Sequence, residues 1–116
     1  MGITAENIAK ELNITRAEQD KYSWMSLQRA ITAVDLGVFK EEIAPITLFN
    51  YKHKESVFDT DEFPNRLTTP EKISSLSPTF LKDGHGTVTA ASSSGINDGA
   101  TFLALGSEKI LQQTWN

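Results

Sequence analysis

The stretch from Thr15 to Gly37 reads TRAEQDKYSWMSLQRAITAVDLG and carries the clearest helical signal in the chain. Thr15 and Glu18 have the spacing of a capping box, in which a hydroxyl and a carboxylate each satisfy a free backbone amide at a helix start. Gly37 stands where a left-handed residue ends many helices. The pattern predicts a helix over 16–36. Its core-packing face carries apolar residues at helical spacing, namely Tyr22, Met25, Ala30, Ala33 and Val34.

Weaker signals flank this helix. Residues 4–12 have apolar residues on one face and predict a short helix. Pro45 ends any continuation of the long helix. Beyond it, Ile46–Phe49 and Ser56–Phe58 are typical of two strands around a polar turn at 50–55, so a β-hairpin is predicted.

The second half of the chain has shorter elements. Residues 59–72 are polar and predict a loop, and a short helix is expected from Pro70 to Leu76. Thr87–Ala90 and Thr101–Leu105 predict two short strands, with a turn signal at 97–99 between them. Helices, a hairpin and short strands together indicate an α+β fold, and 116 residues make at most one domain.

Composition limits the classes of function. A net charge of -4 gives no electrostatic support to binding of nucleic acid or an anionic membrane, and no apolar run approaches a membrane span. The first residues lack the pattern of a signal peptide, so a cytoplasmic location is expected. The chain has no cysteine, which excludes disulfides, thiolate metal sites and cysteine nucleophiles within it.

No cluster of reactive side chains stands out. Asp59, Asp61 and Glu62 are acidic neighbours, but Pro64 occupies the place where a calcium loop needs glycine, so a solvated loop is expected rather than a metal site. His53 has no acid at metal-ligand spacing and is expected in an exposed loop.

His85 is likewise expected to be exposed, and the glycines around it do not complete a dinucleotide fingerprint because Thr89 replaces the third glycine. The serines at 92–94 have no recognisable activating base. The residues alone therefore predict no catalytic constellation, no metal and no cofactor.

The stretch from Gly86 to Leu105, GTVTAASSSGINDGATFLAL, places many small residues between two apolar runs. Small side chains let a thin ligand approach the backbone, and hydroxyls and turn amides can hydrogen-bond a narrow polar chain. A tight connecting loop would need the same residues. Both interpretations remain open from the pattern alone.

Four segments in fixed order resemble the thiolases, and specifically the biosynthetic acetyl-CoA acetyltransferases. The resemblance runs from Met1 to about Lys109, whereas Ile110–Asn116 does not match the family pattern. The segments are MGITAENIAKELNITRAEQDKYS, GVFKEEIAPI, DTDEFPNRLTTPEKISSLSPTF and KDGHGTVTAASSSGINDGA.

This resemblance implies part of a longer enzyme with two similar α/β halves. Residues 1–82 resemble the loop domain that covers coenzyme A (CoA), and residues 83–116 resemble a linker and strand returning to the first half's sheet. The implied fold is α+β, with helices packed with a small hairpin and one or two strands of that sheet. Thiolases use two cysteines and a histidine that lie outside this segment, so the chain is expected to contribute no catalytic residue.

The family's CoA contacts map onto residues of this chain. Asn65 takes the place of an arginine near the adenine, and Arg66 follows one residue later. Ser92 and Ser93 replace an asparagine and an alanine of the family motif. Asn65, Ser92 and Ser93 are therefore departures from the family pattern. The implied CoA contacts are Ser94 and Ala90 beside the pantetheine arm, Phe80 near the pantetheine and adenine end, Met1 beside the pantetheine, and Arg66.

Two functions remain open from the sequence. The first is a fragment of an acetyl-CoA acetyltransferase, inactive alone, that binds CoA or acyl-CoA as substrate. The alternative is a non-catalytic CoA-binding or oligomerisation module with a thiolase-like fold. Unpaired apolar faces on the strand Thr101–Leu105 predict a homo-oligomer or assembly with remaining thiolase parts. An independent enzyme using His85 and a serine is a third, less supported reading.

Overall fold

The computed structural model of the chain describes residues 1–103 and 105–108. Within them the chain forms three helices and one two-stranded antiparallel sheet, so the predicted α+β class is confirmed. The last part of the predicted return segment, residues 109–116, lies outside the described residues. In chain order the elements are α1 (Gly2–Glu11), α2 (Arg16–Asp35), β1 (Ile46–Phe49), β2 (Glu55–Phe58) and α3 (Pro70–Ser74).

Helix α2 confirms the helix predicted over 16–36 to within one residue at its end. The Thr15 hydroxyl accepts a hydrogen bond from the Glu18 amide at 3.2 Å, and the Glu18 carboxylate accepts one from the Thr15 amide at 2.8 Å. Gly37 follows the helix with a φ of +65°, a left-handed conformation that glycine adopts without a Cβ clash. Local sequence therefore sets both ends of α2.

Helix α1 starts two residues before, and ends one residue before, the range predicted for it. Asn13 follows with a φ of +54°, in the left-handed region that asparagine tolerates better than most residues. This turn lets the Ile14 amide donate to the Ala9 carbonyl at 2.8 Å. The chain then enters the capping box of α2 directly.

Helix α3 begins at Pro70 as predicted and ends two residues before the predicted Leu76. The Arg16 guanidinium, from the first turn of α2, donates to the carbonyls of Leu76 at 2.8 Å and Ile73 at 3.1 Å. Asp20 holds the same guanidinium at 2.8 Å. Because the last carbonyls of a helix lack partners within it, Arg16 both caps α3 and joins it to α2.

The predicted hairpin is confirmed, with β2 one residue longer than expected. Ile46 pairs with Phe58, and Phe49 pairs with Glu55. The turn lacks an Asn-Gly signal; instead the Asn50 side-chain oxygen accepts from the amides at positions 52 and 54, at 2.9 and 3.0 Å. An asparagine side chain that mimics a backbone acceptor explains how this polar turn forms.

The two later strands predicted from the sequence were wrong. Thr87–Ala90 forms no strand, because the amides at its start are bound by a side chain of α1 instead of a neighbouring strand. Residues 101–103 and Leu105 are not in a strand either, and Ala104 lies outside the described residues. A strand needs a ladder partner, and the described part of the chain offers none there.

The buried residues of the described chain are few, and they lie in α1, in α3 and in the segment 87–89. They are Ala9, Ile73, Val88, Glu6 and Thr89. The prediction that α2 packs its apolar face into the core was wrong, because no residue of α2 is buried and Tyr22 is 67% exposed. Among the described helices and strands α2 packs only on α3, and its apolar side chains are at most half-buried.

The contact of Arg16 with α3 gives the first prediction. Arg16→Lys keeps the charge but loses the planar fork that reaches several carbonyls at once. We expect the variant to lower the free energy of unfolding by about 1–2 kcal/mol, measured by urea denaturation followed by circular dichroism. The matched control Arg29→Lys alters an exposed arginine of the same helix and should have no comparable effect. Equal stabilities of the two variants would contradict the assignment.

Candidate functional site

A buried carboxylate of α1 holds the chain segment that leads into the small-residue stretch. Glu6 is 4% exposed, and its two oxygens accept from the Thr87 amide at 3.0 Å each. They also accept from the Thr87 hydroxyl at 2.8 Å and from the Val88 amide at 2.9 Å. We call the contacts of Glu6 with Thr87 and Val88 the Glu6 clamp.

Helix α2 joins the same arrangement. The side-chain amide of Gln19 donates to the Thr87 hydroxyl oxygen at 2.9 Å, while that hydroxyl donates to Glu6. One threonine side chain therefore connects α1 and α2. The segment that follows it is fixed relative to both helices.

The environment of Glu6 favours its charged form. Burial by itself raises the pKa of Glu6, but hydrogen bonds from the Val88 amide and from the Thr87 hydroxyl and amide outweigh it. The nearby charge of Asp83 also acts to raise it. The net pKa of Glu6 lies below its ordinary value of 4.5, so the clamp is ionised at neutral pH.

The serines beyond the clamp make a tight turn around a buried threonine. The Ser92 hydroxyl oxygen accepts from the Thr89 amide at 2.9 Å, and the Ser93 hydroxyl donates to the Thr89 carbonyl at 2.7 Å. Thr89 is fully buried, and its own hydroxyl has no hydrogen-bond partner in the described structure. The turn presents Ala90 and the following residues toward α2.

A cleft of about 580 Å³ lies between this turn and α2. Ile73 of α3 and the loop at 63–65 complete its walls. The side chains that line the cleft in the described part of the chain are uncharged and mix hydroxyls with apolar groups. The residues that face one another across it are Ser23, Ser26 and Ala30 on α2 and Ala90, Ala91, Ser92 and Ser93 on the turn.

The structure brings part of the implied CoA-contact set to this cleft. Ala90, one of the five implied contacts, lines it. Ser92 and Ser93, which depart from the family motif, line it as well. Asn65, which stands in the place of the family's arginine, lines it from the opposite loop. Ser94 is exposed just beyond the cleft.

Arg66 lies outside the cleft and is paired elsewhere. Its guanidinium donates to the Asp35 carboxylate at 2.6 and 3.1 Å, and both side chains are about half exposed. The hydrogen bond from Arg66 holds the pKa of Asp35 below its ordinary value. An exposed pair of this kind is weak, so the guanidinium remains available to a competing anion.

Phe80 lies at another place, against the start of α1, and Met1 is the residue that precedes this helix. The Phe80 ring packs against the bare backbone of Gly2, where an added Cβ would collide with it. Met1 is fully exposed. The five implied contact residues therefore fall into separate groups on this chain.

His85 lines a different surface cavity, of about 710 Å³, together with Lys10 and Asp83. The Asp83 carboxylate accepts from the backbone amide of His85 at 3.0 Å. This hydrogen bond fixes the loop backbone and does not involve the imidazole ring. Within residues 1–103 and 105–108, no three His, Asp or Glu side chains are grouped to hold a metal ion. No helix in the same residues is long and apolar enough to cross a membrane.

Sequence reasoning missed Glu6, the side chain that organises the site. Glu6 and Val88 are 82 positions apart, and a glutamate in a short helix resembles any solvated surface acid. The serine stretch, by contrast, was identified as a possible ligand-lining segment from its small residues. Only the three-dimensional placement connects the two.

Comparison with known proteins identifies the family. Residues 1–109 match the family description "Thiolase, N-terminal domain". A mitochondrial acetyl-CoA acetyltransferase of Gibberella zeae is 50% identical over 113 residues, which are 97% of this chain and 26% of that protein. The acetyl-CoA acetyltransferase of Escherichia coli K12 is 48% identical over 105 residues, or 90% of this chain and 26% of that protein. The chain belongs to the thiolase family.

Solved structures agree with this assignment. The acetyl-CoA acetyltransferase of Bacillus anthracis superposes with a TM-score of 0.85 at 43% identity, covering 97% of this chain and 28% of that one. The dimeric peroxisomal thiolase of Saccharomyces cerevisiae superposes with a TM-score of 0.69 at 42% identity, covering 78% of this chain and 22% of that one. The chain thus spans 26% of the length of these curated relatives. The cytoplasmic location stays a prediction, since one of these relatives is mitochondrial.

The turn around Thr89 gives the second prediction. Ser92→Ala removes the acceptor of a buried amide, which we expect to lower the free energy of unfolding by about 1–3 kcal/mol. Ser94→Ala is the matched control, because Ser94 is exposed. This change should alter the free energy of unfolding by no more than about 0.5 kcal/mol. Thermal and urea unfolding of both variants measure the difference. Equal destabilisation by the two changes would contradict this account of the turn.

Proposed function

We propose that this chain forms a CoA-binding part of an acetyl-CoA acetyltransferase, and that the pantetheine arm of CoA lies in the cleft between α2 and residues 90–93. In this proposal residues 1–82 cover the coenzyme, and the segment from residue 83 leads back to the rest of a thiolase. The similarity to acetyl-CoA acetyltransferases over 97% of the chain carries the proposal.

The chemistry of the cleft suits a narrow uncharged chain. Pantetheine carries amide and hydroxyl groups but no charge, and the cleft walls carry hydroxyls and small apolar groups without charges in the described residues. Ala90 and Ala91 leave room for the arm to lie near the backbone. Ser23 and Ser26 on α2 offer hydroxyls on the facing wall, and such convergent polar groups fix the orientation of a bound ligand.

The remaining implied contacts lie outside the cleft lining. Ser94 lies next to the cleft in the chain and would contact the arm at its edge. Arg66 would exchange its exposed pairing with Asp35 for a CoA phosphate, which a guanidinium binds with two parallel hydrogen bonds. Phe80, whose ring packs on Gly2, and Met1, which precedes α1, would contact CoA from the start of that helix.

Acyl transfer itself would depend on groups from elsewhere in a thiolase. Covalent transfer needs an activated nucleophile and a positioned acid or base. This chain has no cysteine. We therefore propose that a complete enzyme condenses two acetyl-CoA molecules, and that the present chain contributes substrate binding and no catalytic residue.

Calorimetric titration of the 116-residue chain with CoA tests the proposal. We expect saturable binding that Ala90→Phe weakens at least about tenfold, because a ring would fill the space left for the arm. Ala17→Phe is the matched control, since Ala17 is exposed on α2 and is not part of the cleft lining.

The same preparations should release no thiol from acetyl-CoA above the buffer rate, because the chain has no thiol nucleophile. The cleft assignment would be overturned if millimolar CoA gave no binding heat. It would also be overturned if Ala90→Phe and Ala17→Phe bound CoA with equal affinity. Turnover of acetyl-CoA by this chain alone would overturn the proposal that it contributes substrate binding and no catalytic residue.

The exposed apolar residues favour the second candidate, an oligomerisation module. Phe102, Leu103 and Leu105 are 90%, 79% and 97% exposed, although they form no strand. Contiguous exposed apolar residues of this kind favour association with another chain or with further thiolase parts.

We therefore propose a homo-oligomer in solution. Light scattering at high micromolar concentration should give at least twice the monomer mass of 12.8 kDa. The triple change Phe102→Ser, Leu103→Ser and Leu105→Ser should shift the distribution toward monomer, because it removes apolar surface that association buries. A monodisperse monomer of the unaltered chain would contradict the proposal.

A further inference from the structure

We infer that Glu6 is a positioning residue for the CoA cleft, because its carboxylate holds the segment whose next residues form the cleft wall. This inference rests on the proposed function for the identity of the ligand. Glu6 itself does not line the cleft. It would act on the ligand only through the backbone that it fixes.

The Glu6 clamp is close enough to the cleft to control its width. Val88 is bound directly by Glu6, and Ala90 follows two residues later. An extended chain advances at most about 3.6 Å per residue, so the first wall residue lies within about 7 Å of the clamp along the backbone. A change in the position of Val88 is therefore passed to Ala90.

Hydrogen bonds within the serine turn tie the wall beyond the clamp together. The Thr89 amide and carbonyl are both bound within the serine turn, by Ser92 and Ser93. At the other side, the Thr87 hydroxyl connects the clamp to Gln19 of α2, the helix that forms the facing wall. The clamp thus fixes the distance between the two walls, rather than the conformation of one residue.

The charge of Glu6 decides whether the clamp holds. The ionised carboxylate accepts from three donors, whereas a protonated one loses acceptor strength and adds a proton that faces those donors. The charged or titratable groups near it are Asp83 on the neighbouring loop and, in the cavity that Glu6 also lines, Lys10 and His85. Since its pKa is lowered in the folded chain, the clamp should hold above pH 4.5 and loosen as pH falls through that lowered pKa.

The experiment compares Glu6→Gln with Glu11→Gln, which removes an exposed carboxylate from the same helix. Pantetheine is the probe, because it has no group that titrates near pH 4 and so adds no pH dependence of its own. Calorimetry at neutral pH should show about tenfold weaker binding for Glu6→Gln and unchanged binding for Glu11→Gln. Circular dichroism checks that both variants keep their helices.

A pH series distinguishes positioning from a general loss of fold. In the unaltered chain and in Glu11→Gln, pantetheine affinity should fall as the pH passes through the lowered pKa of Glu6, which lies below 4.5. In Glu6→Gln it should already be low and should not change across that range. Equal affinity of Glu6→Gln and the unaltered chain, or an identical pH profile, would overturn the inference while leaving the cleft proposal standing.

Amide hydrogen exchange gives a readout that needs no ligand. Exchange of the amides at 87–93 should rise in Glu6→Gln and stay unchanged in Glu11→Gln at neutral pH. If the unaltered chain binds no pantetheine, the proposed function fails, and this exchange result alone decides whether Glu6 positions the segment. Unchanged exchange at 87–93 in Glu6→Gln would overturn the inference whatever the binding result.

Discussion

The arrangement of this chain depends on one buried carboxylate. Glu6 loses most of its contact with water, and such a loss is unfavourable unless hydrogen bonds replace it. The amides of Thr87 and Val88 and the Thr87 hydroxyl provide that replacement. These partners lie more than 80 positions away in the sequence. The interaction therefore joins α1 to the segment at 87–88 and fixes the serine stretch beside the helices.

The remaining contacts are built around α2. Arg16 attaches α3 to its first turn, and Gln19 attaches the clamped segment one turn later. The same helix then supplies one wall of the cleft with serines and an alanine. A helix that buries none of its side chains fully still organises the site, because its polar contacts are directional.

The parts of the fold that local chemistry decides were predictable from the sequence. The capping box at Thr15, the left-handed Gly37 and the proline at the start of α3 mark helix ends correctly, and the small residues at 90–93 mark a segment that lines a cleft. The prediction of a strand at 87–90 was wrong, because the strand-like composition of these residues does not reveal which groups their backbone amides will bind. No local pattern could show that a glutamate from the first helix takes the place of a neighbouring strand.

The contact between Phe80 and Gly2 limits which residue can stand at position 2, because it leaves no space there for a side chain. The aromatic ring occupies the volume where any other residue would place its first side-chain carbon. Natural variation at position 2 should therefore be limited to glycine wherever a ring is kept at position 80. The two positions should change together across the family, so that a larger second residue is accompanied by a smaller partner.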